Sequence, residues 1–460
     1  MDYLDEKCMD INYANAYGDT YKLMKQAGKA IADFVTNTIS PGKSITIICG
    51  TGNNAGDGIC CGEELREKYS VSILLIKGVK GLKTPESKRA MNEYNGEYYP
   101  LSSFDNIIPK SHVIIDAIFG IGINGDPRDP YSDVINMMNK SGKTIISVDI
   151  PSGLGTNKPV KPDYTVTFTD IKAGMNTENS GKIIVSNIGI PEDIKSTVGP
   201  GNMVYMPNSA PESHKGMNGI AGILAGWEFT GAAVMSSLSA YNTGPDLVKV
   251  FSNDVNRAII TSYNPGLMFY PVKENSFTDI SGLNSMLIGP GMGKSMESEN
   301  LIRYAINNFS GQLILDADAL KIIEPSDIKG RNAIVTPHKA EFTAFTGLEP
   351  TGENAIKTAK KYSLIILLKG STDIITDGVT TLYSHGGNSR MTMGGTGDVL
   401  AGIVAGIASR KVTPLRSAAM GSYINKKCGD MAFEKYGYYY SIMDMIDNIK
   451  AIMHNKFKSI

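Results

Sequence analysis

Between Ser44 and Ile190, short runs of β-branched and aliphatic residues alternate with stretches of helical period: SITIIC, VSILLI, HVIIDAIF, TIISVDI, DYTVTF and KIIVSNI. Strands separated by helices pair in parallel, so the alternation predicts a mainly parallel sheet wrapped by helices. A second set follows: GIAGILAG, LVKVFS, AIITSY, SMLIGPG, QLILDAD, AIVTPH, LIILLKG and DIITDG, closing in helical segments over 398–409 and 416–435. Between the sets, MPNSAPESHKG (206–216) is rich in Pro, Ser and Asn and has no apolar period. It reads as a linker with the boundary near Asn208. The halves show no self-similarity, so two α/β domains are expected, 1–207 and 208–460, and not repeats.

A chain of 460 residues exceeds one ordinary core, and 49 Gly suit the many tight turns of an α/β protein. Lys plus Arg (45) nearly balance Asp plus Glu (46), so no broad positive field draws nucleic acid or a membrane surface. A phosphate-bearing ligand must be met by local groups. The 5 Cys show no metal-ligand spacing, and their odd number argues against a disulfide framework. MDYLDEKCMDINY is acidic where a signal peptide is basic, and no apolar run reaches the ~20 residues of a membrane helix. A cytoplasmic protein, neither exported nor inserted, is expected.

In sheets of this kind ligands lie beyond the carboxyl ends of the strands. TGNNAGDG (51–58) follows the first strand and precedes a helical pattern from Ile59; its glycines suit either a phosphate approach or a plain turn. HVIIDAIFG delivers Asp116 to a strand end, followed by the loop Gly120–Asp126, and TIISVDIPSG delivers Asp149 and Ser152. Three consecutive strand ends thus carry polar groups among glycines. In the second half Asp316 and Asp318, His338 and Lys369 follow apolar strands, and GGTGD (394–398) opens an apolar helix. Such a turn is a candidate anion hole with a carboxylate beside it, although Asp398 also suits an N-cap and His338 a turn after Pro337.

Taken in order, NNAGDG, DAIFG, VDIPSG, TFTDIKAG and GKIIVSNIGIP resemble the epimerase domain of the NAD(P)H-hydrate repair family over nearly all of residues 1–207. The resemblance implies a Rossmann-like three-layer sandwich. It implies that Asn53, Asn54, Ala55, Gly56, Asp57, the loop Gly120, Ile121, Gly122, Ile123, Asn124, Gly125 and Asp126, and Asp149 hold a hydrated dinucleotide. Potassium is implied at Asn54, Asp116 and Ser152, all oxygen donors suited to a hard monovalent cation. The implied reaction inverts the hydrated ring carbon, with Asp149 as acid/base and Lys172 as partner; an exposed loop lysine is the plain alternative for Lys172. Ala55 and Ile121 stand where the family more often has Gly and Thr.

The GTGD segment resembles the ribokinase-like superfamily. Within it HKG (214–216), TGAA (230–233), GPGMG (289–293), DADAL, TPHKAEF, LKGSTDII and GGTGDVLAG are similar to the ADP-dependent NAD(P)H-hydrate dehydratase, over about residues 210–455. That likeness implies a ribokinase-like three-layer sandwich. Ala232, Gly291, Gly293, His338 and Asp398 would line the hydrate pocket, and Lys369, Gly370, Ser371, Thr372, Asp373 and Gly397 would bind nucleotide. ADP would phosphorylate the ring hydroxyl of NADH hydrate or NADPH hydrate, with magnesium on the phosphates, before phosphate leaves. A homo-oligomer is the expected assembly. Gly226, Trp227 and Glu228 depart from the usual glycine-serine turn. A second reading is a small-molecule or vitamin kinase of the ribokinase-like type, carrying an N-terminal nucleotide-binding or interaction module.

Overall fold

A computed structural model describes residues 1–123, 125–272 and 280–455. The chain forms two compact units, Met1–Ile194 and Lys195–Ile460.

In the first unit every predicted run becomes a strand: β1 (Ser44–Cys49), β2 (Ser70–Leu75), β4 (Val113–Ala117), β5 (Thr144–Val148), β6 (Tyr164–Phe168) and β7 (Lys182–Ser186). β3 (Glu97–Pro100) is an addition, a largely exposed edge strand whose polar sequence carries no apolar signal. All pair in parallel in the order β3-β2-β1-β4-β5-β6-β7, the doubly wound arrangement. Successive residues of one strand serve opposite cores: Ile47 packs with the helices Tyr21–Thr38 and Asn53–Leu65, Ile48 with Val134 and Met138 of the helix Tyr131–Lys140. This is the three-layer sandwich, with both sheet faces covered.

The second sheet runs β11-β10-β9-β12-β13-β14-β15-β16-β17-β8, with β8 (Thr197–Val198), β9 (Ile220–Leu224), β10 (Leu247–Ser252), β11 (Met268–Pro271), β12 (Ser285–Ile288), β13 (Gln312–Leu315), β14 (Ala333–Val335), β15 (Ile365–Leu368), β16 (Asp373–Thr376) and β17 (Thr381–Ser384). It is parallel except for the β15, β16 and β17 meander. One face packs on the helices Thr396–Ser409 and Pro414–Tyr436, the other on Met296–Asn308 and Lys339–Thr346.

Two expectations are corrected. AIITSY lies in a helix, Arg257–Tyr263, and not a strand: Asn253 caps the turn before it, and Thr261 and Ser262 hydroxyls donate back to the carbonyls of Arg257 and Ile259. Only Ile260 reaches the core, while Ile259 stays exposed, so the run's β propensity is overridden by one-sided burial. The boundary falls at Ile194, ahead of 207/208. β8 pairs with β17, and Met203 and Met206 are buried in the second core, so tertiary pairing claims a segment whose composition marks nothing.

The helix after β1 begins at Asn53, earlier than the pattern from Ile59 suggests. Gly58 is therefore helical and presses on the sheet: a Cβ there would lie 2.5 Å from the Ala117 Cβ and 3.1 Å from Ile47 Cγ2. Gly58→Val is expected to destabilise the first unit by about 1–3 kcal/mol through overpacking. Denaturant unfolding checks this, and an unchanged midpoint would contradict the close packing.

Candidate functional sites at the strand ends

In each sheet the polar residues gather beyond the carboxyl ends of neighbouring strands, β1, β4, β5 and β6 in the first and β13, β14 and β15 in the second. Ligands of such sheets bind on this side.

Asp116 ends β4 with no exposure to solvent. Its carboxylate accepts from Ser152 Oγ (2.6 Å), Ser152 N (2.9 Å), Ser147 Oγ (2.8 Å) and Ile118 N (3.3 Å). Burial pushes its pKa up, and these donors work against that rise. Ser152 Oγ in turn accepts from Phe119 N, which fixes the start of the loop after β4. Asn54 is buried beside Gly120 of that loop, and its Nδ2 has no partner.

Asp149 follows β5 in the left-handed region (φ +63°), a conformation that Asp tolerates better than most residues and that clusters at functional sites. Its Oδ1 accepts from Lys172 Nζ (2.8 Å), Thr167 Oγ1 (3.1 Å) and Phe168 N (3.2 Å). Lys172 is buried, which overturns the exposed-lysine alternative, and also donates to Phe168 O (2.8 Å).

The helix Tyr3–Tyr17 adds residues that the sequence reading passed over. Met1 brackets Lys172, its nitrogen donating to Ile171 O (2.8 Å) while Ala173 N donates to Met1 O (2.9 Å). One turn on, Glu6 Oε1 lies 4.0 Å from Lys172 Nζ, and Glu6 Oε2 is buried without a partner. Burial first, then the charge of Asp149, pushes the Glu6 carboxyl up to about 8. Asp10, on the same helix face at i+4, is raised to about 6 by the same causes. Asp57 is also pushed well above its usual range by burial and by Asp149. Acidic residues four apart on one helix face were the only available signal.

Of the remaining positions in this unit, Asn53 and Ala55 lie in the first helical turn after β1, and Gly56 faces Met24. Gly120, Ile121, Gly122, Ile123 and Gly125 form the loop after β4, and Asp126 is held by Asn157 N (2.9 Å). Asn124 lies outside the described residues.

In the second unit Lys369 follows β15 and donates to Asp316 Oδ1 at 2.8 Å, with Glu341 Oε2 at 3.5 Å. Burial works against its charge, but the two carboxylates hold the ammonium above its ordinary pKa. Thr336 Oγ1 also donates to Asp316 (2.8 Å). A Cβ on Gly397 would lie 3.3 Å from Lys369 Nζ, so the GGTGD turn meets this ion pair directly.

Asp398 is not the N-cap. That place is Gly395, which caps with no side-chain bond, and Asp398 sits in the first turn of the helix Thr396–Ser409. Burial, then Asp316, pushes its carboxyl up to about 7, while Lys369 pulls it down. Among the described residues no acceptor reaches the amides of Thr396, Gly397 and Asp398, leaving the donor end of the helix open to an anion. The arrangement can take a proton at Asp398 while amides and Lys369 stabilise negative charge.

Other positions prove to have local partners. His338 caps the helix Lys339–Thr346, its Nδ1 accepting from Ala340 N and Glu341 N (3.1 and 3.2 Å). Asp373 lies beneath its loop, accepting from Gly370 N (2.9 Å) and Ser422 Oγ (2.6 Å). Ser371 and Thr372 stand at the loop's outer side. Gly291 O accepts from Glu228 N and Phe229 N, Gly293 N donates to Asp318, and Ala232 is buried against Gly291. Trp227 packs on the apolar core.

A family model described as NAD(P)H-hydrate dehydratase matches residues 221–451, and one described as YjeF-related protein N-terminus matches 20–174. A bifunctional NAD(P)H-hydrate repair enzyme of Archaeoglobus fulgidus is 32% identical over 94% of this chain and 94% of its own. The enzyme of that name from Hyperthermus butylicus is 31% identical over 95% and 89%. Among solved structures, a ribokinase-like superfamily protein of Enterococcus faecalis aligns with TM-score 0.53 at 22% identity, covering 56% of this chain and 95% of that one. The ADP/ATP-dependent NAD(P)H-hydrate dehydratase of Bacillus subtilis aligns with TM-score 0.50 at 23% identity over 56% and 95%. These likenesses show the ribokinase-like fold of the second unit.

Asp316→Asn is expected to lower the pKa of Asp398 from about 7, because it removes a like charge and frees Lys369. A pH titration of side-chain carboxyl carbons by NMR reads this. An unmoved Asp398 would refute the electrostatic link.

Proposed function

We propose, from the premise that the chain belongs to the bifunctional NAD(P)H-hydrate repair enzymes, how its two sites divide the work. The first unit interconverts the R and S hydrates, and the second returns the S hydrate to NADH or NADPH with ADP as phosphoryl donor.

The carrying observation is a proton acceptor at the mouth of an open anion turn: Asp398, held near neutrality, beside the unpaired amides of 396–398 and Lys369. Asp398 takes the proton of the hydrate hydroxyl as its oxygen bonds to the β-phosphorus of ADP and the bond to AMP breaks. The turn amides and Lys369 bear the charge on the moving phosphoryl group. The ring nitrogen then pushes phosphate out with the C–O electron pair, and loss of the proton from the neighbouring carbon restores the ring double bond. Magnesium, when bound, neutralises phosphate charge. Among the described residues no group of three or more His, Cys, Asp or Glu forms a metal site, so it would ride on the nucleotide.

In the first unit the Glu6 carboxyl holds a proton at neutral pH, and Asp149 is ion-paired with Lys172. Glu6 protonates the leaving hydroxyl, the ring nitrogen assists its loss as water, and water returns to the other face while Asp149, held by Lys172, takes its proton. A potassium ion would be held by Asn54, Asp116 and Ser152: each carries an oxygen donor, and among the described residues Asp116 is met by hydroxyls and amides and by no cationic side chain. It would supply a fixed positive charge at the loop after β4.

Purified protein given mixed R and S hydrates, ADP and magnesium is expected to restore the full absorbance of the reduced nicotinamide. Asp398→Asn should slow turnover of both epimers by about 10²–10⁴-fold. Asp149→Asn should consume S and stop there. The rates should also respond oppositely to pH, dehydration rising through about 7 as Asp398 ionises and epimerisation falling above about 8 as Glu6 does. Wild-type rates in both variants would sink the assignment.

A further inference from the structure

On the helix Pro414–Tyr436, Ser422, Lys426 and Asp430 occupy one row at i, i+4 and i+8, and each holds a loop beside the anion turn. Lys426 is 6% exposed. Its Nζ donates to Ser371 O (2.9 Å), Gly370 O (3.2 Å) and Gly386 O (3.4 Å), with Asp373 Oδ1 at 3.6 Å. Ser422 Oγ donates to the other oxygen of Asp373, and Asp430 accepts from Gly387 N (3.1 Å). Across the two loops Thr372 Oγ1 and His385 Nδ1 lie 3.2 Å apart.

An ammonium has three protons, and three carbonyls take them all. Lys426 therefore has none left for a ligand and behaves as an internal monovalent cation in an oxygen cage. In a trans peptide the C=O and the following N–H point in opposite directions. Drawing the carbonyls of Gly370 and Ser371 inward turns the amides of Ser371 and Thr372 outward. Neither amide has an acceptor among the described residues.

We propose that Lys426 is a positioning residue for nucleotide binding, orienting the Ser371 and Thr372 amides as paired donors to a phosphate oxygen of the nucleoside diphosphate. This rests on the nucleotide-dependent reading of the second unit. Lys426 does not touch the reacting atoms; it acts through two peptide groups, with Ser422 and Asp373 bracing the same loop.

The test is steady-state dehydration of S hydrate by the full chain in buffer free of potassium and ammonium. Lys426→Ala is expected to raise the KM for ADP about 10- to 100-fold, the loss of a charge-assisted donor set, with kcat and the KM for hydrate changing far less. Added potassium or ammonium should restore ADP affinity in Lys426→Ala by entering the emptied cage. Lys426→Met keeps the stem and fills the cage, so it should show the same rise without rescue; it also serves if the alanine variant does not fold. An ADP KM within about twofold of wild type, a parallel collapse of kcat and both KM values, or no cation rescue in the alanine variant would each overturn the proposal. Wild-type protein unable to use ADP at all would instead defeat the parent reading.

Discussion

A carboxylate withdrawn from water must be compensated by donors or by an opposite charge, or it takes up a proton. Both units place such groups at the carboxyl ends of parallel strands and resolve them differently. Asp116 is surrounded by hydroxyl and amide donors, Asp149 is paired with Lys172, and Asp316 with Lys369. Glu6, Asp10 and Asp398 receive less compensation, and their carboxyls are raised toward neutral pKa values. The satisfied acids keep a fixed geometry, and the unsatisfied ones are poised to exchange a proton near neutral pH.

The fold makes this possible. Parallel strands end side by side, so single residues distant in sequence arrive together with their backbones fixed by the sheet. Asp149 and Ala317 both sit in the left-handed region just past a strand, where a sharp turn brings the next residues back over the strand end. The helix Thr396–Ser409 then brings its first turn, with its open amides, beside Lys369 and Asp316.

Much of this was legible in the residues. Apolar β-branched runs mark the central strands; the polar residues at their ends mark Asp116, Asp149, Asp316 and Lys369 as candidates, and the GGTGD turn opening a helix marks Asp398. Edge strands such as β3 and β8 were not visible because an edge needs little apolar burial. AIITSY carried strand propensity but only one buried side chain, and packing decided for helix. Glu6, Asp10, Glu341 and Lys426 escaped for a common reason: they come from helices, where the spacing reveals a shared face but not what that face meets. The Asn53–Gly58 segment misled in the other direction, since Gly58 answers to contact with Ala117 as much as to any ligand.

The central claim is that the hydrate oxygen leaves as part of phosphate, captured at Asp398 and the 394–397 turn. It is tested most directly by a single turnover of S hydrate carrying ¹⁸O in the ring hydroxyl, with ADP and the Asp149→Asn protein so that epimerisation does not wash out the label. The account predicts ¹⁸O in inorganic phosphate. Label found in water, with phosphate unlabelled, would contradict it.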